Sequence, residues 1–254
     1  MYGMAQKKGR IYFIDELRAL AFLGMVVYHT AYDLRWLFGI RFDFGASGWN
    51  FLQKAVCCTF IVLAGISTRL SKNSFRHGVV VLSCGLLMTA GTYFIMPDQV
   101  IWFGILHFLG VSMMIAWAFR KAIANANVPL GILFSLVAFF ALQGISHGTV
   151  VWGKVLVPPL FYANGLTAVL GFPPKVFFSA DYFPLLPWFF LFLSGCFFGK
   201  IVKERNFPDF FFKKHSRFLC AIGSNTLVLY VLHQPVIYAV LTLIFWLIEK
   251  GNAL

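Results

Sequence analysis

The sequence predicts an all-α fold, a polytopic membrane helical bundle of about seven transmembrane helices with the N-terminus cytoplasmic and the C-terminus outside. Three observations predict it. Of 254 residues, 60% are hydrophobic and 12% charged, against about a quarter charged in an ordinary soluble domain. Phenylalanine occurs 31 times and mean hydropathy is +0.80, more apolar surface than a core of this length hides, so lipid must cover it. The formal charge of +12 is carried in short clusters between apolar runs, which suits topology control by positive loops and argues against a nucleic-acid-binding stripe.

Seven apolar spans follow in order, over residues 12–39, 49–70, 77–96, 100–119, 129–146, 183–202 and 217–248. Each is near or above the ~20 residues that cross the hydrocarbon, the fifth being the shortest. Pro235 predicts a kink in the last. Lys7, Lys8 and Arg10 precede the first span; Arg69, Lys72 and Arg76 join the second to the third; Arg120 and Lys121 follow the fourth; and Lys200, Lys203, Arg205, Lys213, Lys214 and Arg217 surround the loop between the last two. The opposite side carries only Arg35, Arg41, Lys154, Lys175 and Lys250, and this asymmetry sets the orientation. Residues 147–182, apolar but broken by prolines, read as a re-entrant or surface-lying cover over the outer mouth. Residues 1–254 read as one membrane-embedded domain, and the multi-pass character with basic inner loops suits a plasma (inner) membrane.

The first span, FIDELRALAFLGMVVYHTAYDLRWLFG, carries Asp15, Glu16, Arg18, His29 and Asp33. Residues 15, 18, 22, 25, 29 and 33 recur at helical spacing and share one face. A row of ionisable groups facing lipid would cost several kcal/mol, about 2.5–3.5 for each charge at the bilayer centre, so the row is expected to face the bundle interior. Asp15 and Arg18 lie at the cytoplasmic end, as an ion pair or as part of a ligand site. From Arg18 to His29 is about 16 Å of rise. His29 and Asp33, one turn apart, allow the carboxylate to orient the imidazole as a general base. His107 in FGILHFLG and His233 in LYVLHQPVIY fall at similar depth in the outer half, and Asn225 is expected on the same face of the last span as His233. His77 and His215, in basic loops, read as solvated. Cys57, Cys58, Cys84, Cys196 and Cys220 lie in or beside apolar spans without paired metal or redox spacing, and no metal site is predicted.

These blocks, IDELRALAFLGMVVYHTAYDL, FIVLAGIS, FGILHFLG, DYFPLLPWFFLFLSG and GSNTLVLYVLHQPVIY, run over nearly the whole chain. Their order resembles the catalytic-domain family of heparan-α-glucosaminide N-acetyltransferase. Arg18 and His29, with ten residues between them, also resemble the Arg-x10-His pattern of membrane O-acyltransferases. The resemblance implies a membrane acyltransferase that takes an acetyl group from cytoplasmic acetyl-CoA, a co-substrate rather than a resident cofactor, and delivers it to an amine or hydroxyl of a glycan-type acceptor on the outer side. The lysosomal relatives carry a histidine just before a WN block, where this chain reads FGASGWN, and an asparagine in the place of His29; either the base has moved or this branch uses His29. Lys54 stands where an acid is expected.

The catalytic candidates are thus His29 and Asp33, with His107, His233 and Asn225 for the oxyanion or the acceptor. The donor-binding candidates are Arg18, Asp15, Arg69, Lys72, Arg76 and Lys121, cations that suit nucleotide phosphates. Expected partners are the lipid bilayer, acetyl-CoA and a polar outer-side acceptor, with no nucleic acid; a homodimer is left open. Two other function classes fit buried polar groups in a bundle: a small-molecule transporter or channel, and a membrane protein holding haem or metal through its histidines.

Overall fold

The computed structural model describes residues 10–204 and 208–252. Lys7, Lys8 and Arg205, counted above toward orientation, lie outside the described residues. Among the described residues are nine α-helices: α1 (Tyr12–Trp36), α2 (Ser47–Leu70), α3 (Ser74–Ile95), α4 (Ile105–Ala118), α5 (Arg120–Asn125), α6 (Val128–Ala141), α7 (Leu185–Glu204), α8 (Arg217–Ser224) and α9 (Thr226–Asn252). The described residues are all-α apart from an antiparallel hairpin of β1 (Thr149–Val150) and β2 (Val155–Leu156) and an isolated parallel bridge between Phe103 and Tyr182.

Among the described residues five helices are long and apolar enough to cross a membrane: Ser47–Leu70, Ser74–Ile95, Val128–His147, Leu185–Glu204 and Thr226–Gly251. The two expected spans that do not meet this standard fail for different reasons. α1 has the length, 25 residues, but carries three charges in its first two turns. α4 has only 14 residues, about 21 Å of helix, because the chain before it is extended. Ala180 N donates to Val100 O at 3.0 Å and Phe183 N to Phe103 O at 2.9 Å. Residues 100–104 thus pair with the approach to α7 instead of adding a turn to α4.

The last expected span is two helices, α8 and α9, parted at Asn225. The break lies there and Pro235 is inside α9. Asn225 closes α8 with φ −111°, ψ 17° and its carbonyl accepts from Leu229 N at 3.1 Å. Local chemistry sets other termini. Asn127 Oδ1 accepts from Leu130 N at 3.2 Å at the start of α6, with Pro129 in its first turn. Ser216 Oγ accepts likewise from Leu219 N at 3.2 Å at the start of α8.

The chain falls into two compact units, one of the described residues up to Phe60 and from 208 onward, the other of those from Ile61 to 204. In the first unit α1 packs against α8, α9 and the early part of α2. Ala21, Phe22, Met25, Val56 and Phe60 form its buried cluster, flanked by Ile222, Leu229 and Tyr230. The row on α1 faces this interior: Asp15, Phe22, Met25 and Asp33 are buried and Arg18 and His29 partly so, while Leu20 and Val27 on the other side are more than half exposed.

In the second unit the helices approach at glycines. A Cβ on Gly65 of α2 would stand 2.2 Å from Phe192 O of α7, one on Gly195 2.3 Å from Val62 O, and one on Gly110 of α4 2.8 Å from Gly78 O of α3. Small residues let backbones close together where lipid supplies no hydrophobic drive between helices. Residues 147–182 form the hairpin and two 3-10 turns, Pro159–Tyr162 and Gly165–Leu170. Leu156, Leu160, Leu166 and Val176 there are at least 80% exposed, which fits a surface-lying segment.

Candidate active site

The foot of α1 holds two buried carboxylates with different work. Asp15 accepts from Arg10 Nε at 2.7 Å and from Arg18 Nη1 at 2.9 Å. Arg18 Nη1 also donates to Gly223 O at 3.1 Å, satisfying a carbonyl at the end of α8 where the helix leaves acceptors open. This contact needs glycine at 223, since a Cβ there would stand 1.8 Å from Asp15 O. Glu16 accepts from His215 N at 2.7 Å, Ser216 N at 2.8 Å and His215 Nδ1 at 2.9 Å. It thereby holds the entry to α8 onto α1. His215, expected to be solvated, is therefore a partner of a buried carboxylate, and its ring lies 4.2 Å from that of Phe210.

Beside these groups a cavity of about 260 Å³ is lined by Arg10, Lys214, Arg217 and Ser224 together with Asp15. Three cations there face one carboxylate that Arg18 already shares, so the opening carries net positive charge.

Farther along α1, the structure brings together His29 and His233, two of the three histidines singled out above. Their rings lie 5.0 Å apart at 62°, with Phe22 6.3 Å and Tyr230 5.3 Å from the His233 ring. His233 Nδ1 lies on Tyr230 O, a carbonyl that can only accept. Nδ1 therefore carries the proton, and Nε2 is left as a buried lone pair without a protein partner. Asp33 is fully buried, and both its oxygens accept from Gln234 Nε2, at 2.8 and 3.1 Å. The carboxylate is held by Gln234 rather than shared with His29. It also fixes the amide's orientation, and Gln234 Oε1 is a second buried acceptor without a partner.

Asn225, expected on the His233 face, is exposed at the α8–α9 break, where Nδ2 donates to Ala221 O at 2.9 Å and to Ser224 Oγ at 3.3 Å.

The remaining candidates belong to the second unit. Thr89 Oγ has one proton and lies on Ile101 O, so at 3.1 Å it accepts from His107 Nε2. His107 Nδ1 then faces Gly85, where a Cβ would come within 3.0 Å of it. His107 thus ties α4 to α3 and to the extended residues before α4. Asp181 Oδ2 accepts from Ile105 N at 2.9 Å, capping α4 from a distant part of the chain. Gly104 permits the approach, as its Cβ would stand 2.4 Å from that oxygen. Burial pushes the Asp181 carboxyl up to about 6, against the opposing pull of the Ile105 amide. Of the four loop cations, Arg69 and Lys72 line one cavity together with Arg120 and Lys203; Arg76 and Lys121 are exposed and do not line it.

Glu16 and Gln234 are the buried-network residues that spacing did not assign. Glu16 stands off the α1 row by one position, and Gln234 follows the histidine that drew attention; their signal was that a buried carboxylate requires donors. Among the described residues no group of three or more His, Cys, Asp or Glu side chains is gathered as a metal would require.

The fold and this site define an integral membrane protein with paired imidazoles inside a helical unit and a basic cavity at the same unit's end. The chain belongs to the family described as heparan-alpha-glucosaminide N-acetyltransferase, catalytic, whose model matches residues 10–235. Membership implies a membrane acetyltransferase. No curated protein and no solved structure matches the chain.

Proposed function

We propose that the protein transfers an acetyl group from acetyl-CoA, entering from the cytoplasmic side, to an amine or hydroxyl of a glycan-type acceptor on the outer side of the plasma membrane. The observation that carries this reading is the pair of orphan acceptors, His233 Nε2 and Gln234 Oε1. A buried lone pair without a donor costs about 1–3 kcal/mol. A ligand bearing N–H or O–H groups, as the acceptor of an acetyl group must, relieves that cost.

The chemistry follows from these groups. The acceptor nitrogen or oxygen attacks the thioester carbonyl as an imidazole of the His29–His233 pair takes its proton. The tetrahedral intermediate collapses, the carbon–sulfur bond breaks, and the thiolate of coenzyme A leaves and is protonated. His233 presents a fixed lone pair and is the better-placed base. His29, edge-on at 5.0 Å, positions the acceptor or passes the proton on. Gln234 Oε1 accepts from the remaining N–H of an amine acceptor or from a neighbouring hydroxyl of the glycan. At the other end of α1, Arg10, Lys214 and Arg217 hold the donor's phosphates by charge-assisted contacts. Asp15 lines that cavity and is paired with Arg18 one turn farther along α1. The ~16 Å of α1 from Arg18 to His29 suits a long flexible arm carrying the thioester.

The test is acetyl-CoA turnover by the purified protein in lipid discs against a panel of amino sugars and sugar alcohols. His233→Ala and His29→Ala are each expected to lose about 10²–10⁴ in kcat with a native melting midpoint. Wild-type turnover in both variants removes the pair from the chemistry.

A further inference from the structure

The cavity of the second unit is not used by the reaction above. It encloses about 160 Å³ and is lined by Arg69 at the end of α2, Lys72, Arg120 at the start of α5 and Lys203 near the end of α7, with Ser71 and Ser74 supplying hydroxyls. No described acidic residue lines it. Arg69 Nε is buried without a hydrogen-bond partner. The Arg69 stem crosses α7 at Gly199, where a Cβ would stand 2.8 Å from Arg69 Cβ. Arg69, Lys72 and Arg120 held around one opening repel one another, and a buried guanidinium nitrogen without an acceptor adds its own cost. An anion removes both penalties.

The surroundings indicate where the anion comes from. The Arg120 guanidinium stacks 4.4 Å over the Trp117 ring, and the Phe75 ring lies 5.0 Å from that of Trp117. Phe75, Trp117 and Phe119 are all exposed. Exposed aromatics interleaved with arginine at the ends of apolar helices are the composition of a membrane–water boundary. Basic pockets between helices at that level take phosphate headgroups.

We propose that this cavity binds a phosphate ester, the headgroup of an anionic phospholipid in the leaflet at which α2 and α7 end. The inference is independent of the acetyl-transfer reading, and its test uses no acetyl-CoA. The full chain is placed in lipid discs of phosphatidylcholine alone, the same discs titrated with inorganic phosphate, and discs containing phosphatidylglycerol. Melting midpoint and lipid retained in native mass spectra are read for each. The expected result is a higher midpoint and retained phosphatidylglycerol, with retention weakened about tenfold or more in Arg69→Gln and Arg120→Gln, the effect of losing one charge-assisted hydrogen bond. Lys72→Gln, at an exposed position, gives the same direction without disturbing the core. Equal retention in wild type and all three variants overturns the proposal. So does a midpoint raised by inorganic phosphate and not by phosphatidylglycerol, which assigns the cavity to a soluble phosphate.

Discussion

At the scale of single residues, the polar groups in this protein are explained by what each would lack if moved. Glu16 is the clearest case. Its carboxylate receives two backbone N–H groups and an imidazole at the start of α8. Truncation strands those donors, so Glu16→Ala should lower stability by about 1–3 kcal/mol, read as a lower melting midpoint in detergent. Glu16→Gln keeps one acceptor oxygen and should fall between. His29 and His233 were legible in the sequence because depth along a helix follows from counting residues. Their neighbours were not. Asp33 at one turn from His29 invites a carboxylate–imidazole pair, yet its oxygens are taken by Gln234 from another helix. Which of two near donors wins is a matter of packing, and one strand of sequence does not contain the facing helix. His107 shows the same limit: its engagement with Thr89 required knowing how closely α3 and α4 approach.

At the scale of elements, apolar length located the helices and backbone chemistry decided their ends. The break at Asn225 was hidden because Pro235 is the louder signal. The shortening of α4 was hidden because residues 100–104 satisfy their backbone in a pairing with residues 180–183, far away in the chain. Two predictions belong here. Gly65→Ala places a methyl 2.2 Å from Phe192 O and should cost about 1–3 kcal/mol by forcing α2 from α7. Gly91→Ala on α3 meets nothing within 4 Å and should leave the melting midpoint unchanged or slightly raised. The cap of α4 gives the second. Burial raises the Asp181 carboxyl from 3.8 to about 6, so between those values the folded protein binds more protons than the unfolded chain. This group's contribution to stability therefore falls as pH rises through that window and is largest in the acid limb. Asp181→Asn should remove that slope, measured as melting midpoint against pH, while its carbonyl still caps Ile105 N.

At the scale of the whole molecule, composition alone established an all-α membrane protein, and the order of its sequence blocks anticipated the family. The number of crossings is less directly written. Among the described residues five helices satisfy length and apolarity, and α1 and α4 depart from that standard for local reasons: one carries the ionisable row, the other starts late because residues 100–104 are extended and Asp181 caps its first turn. The first unit joins a basic cavity to an imidazole pair along one helix, and the second supplies glycine-packed helices and its own basic cavity. The central claim is that α1 leads a thioester from the cations at its foot to the histidines farther along it. The most direct measurement is the structure of the protein with coenzyme A bound. The phosphates are expected among Arg10, Lys214 and Arg217, with the sulfur within reach of His233 Nε2; a sulfur lying away from both His29 and His233, or phosphates at the opposite end of α1, would contradict the account.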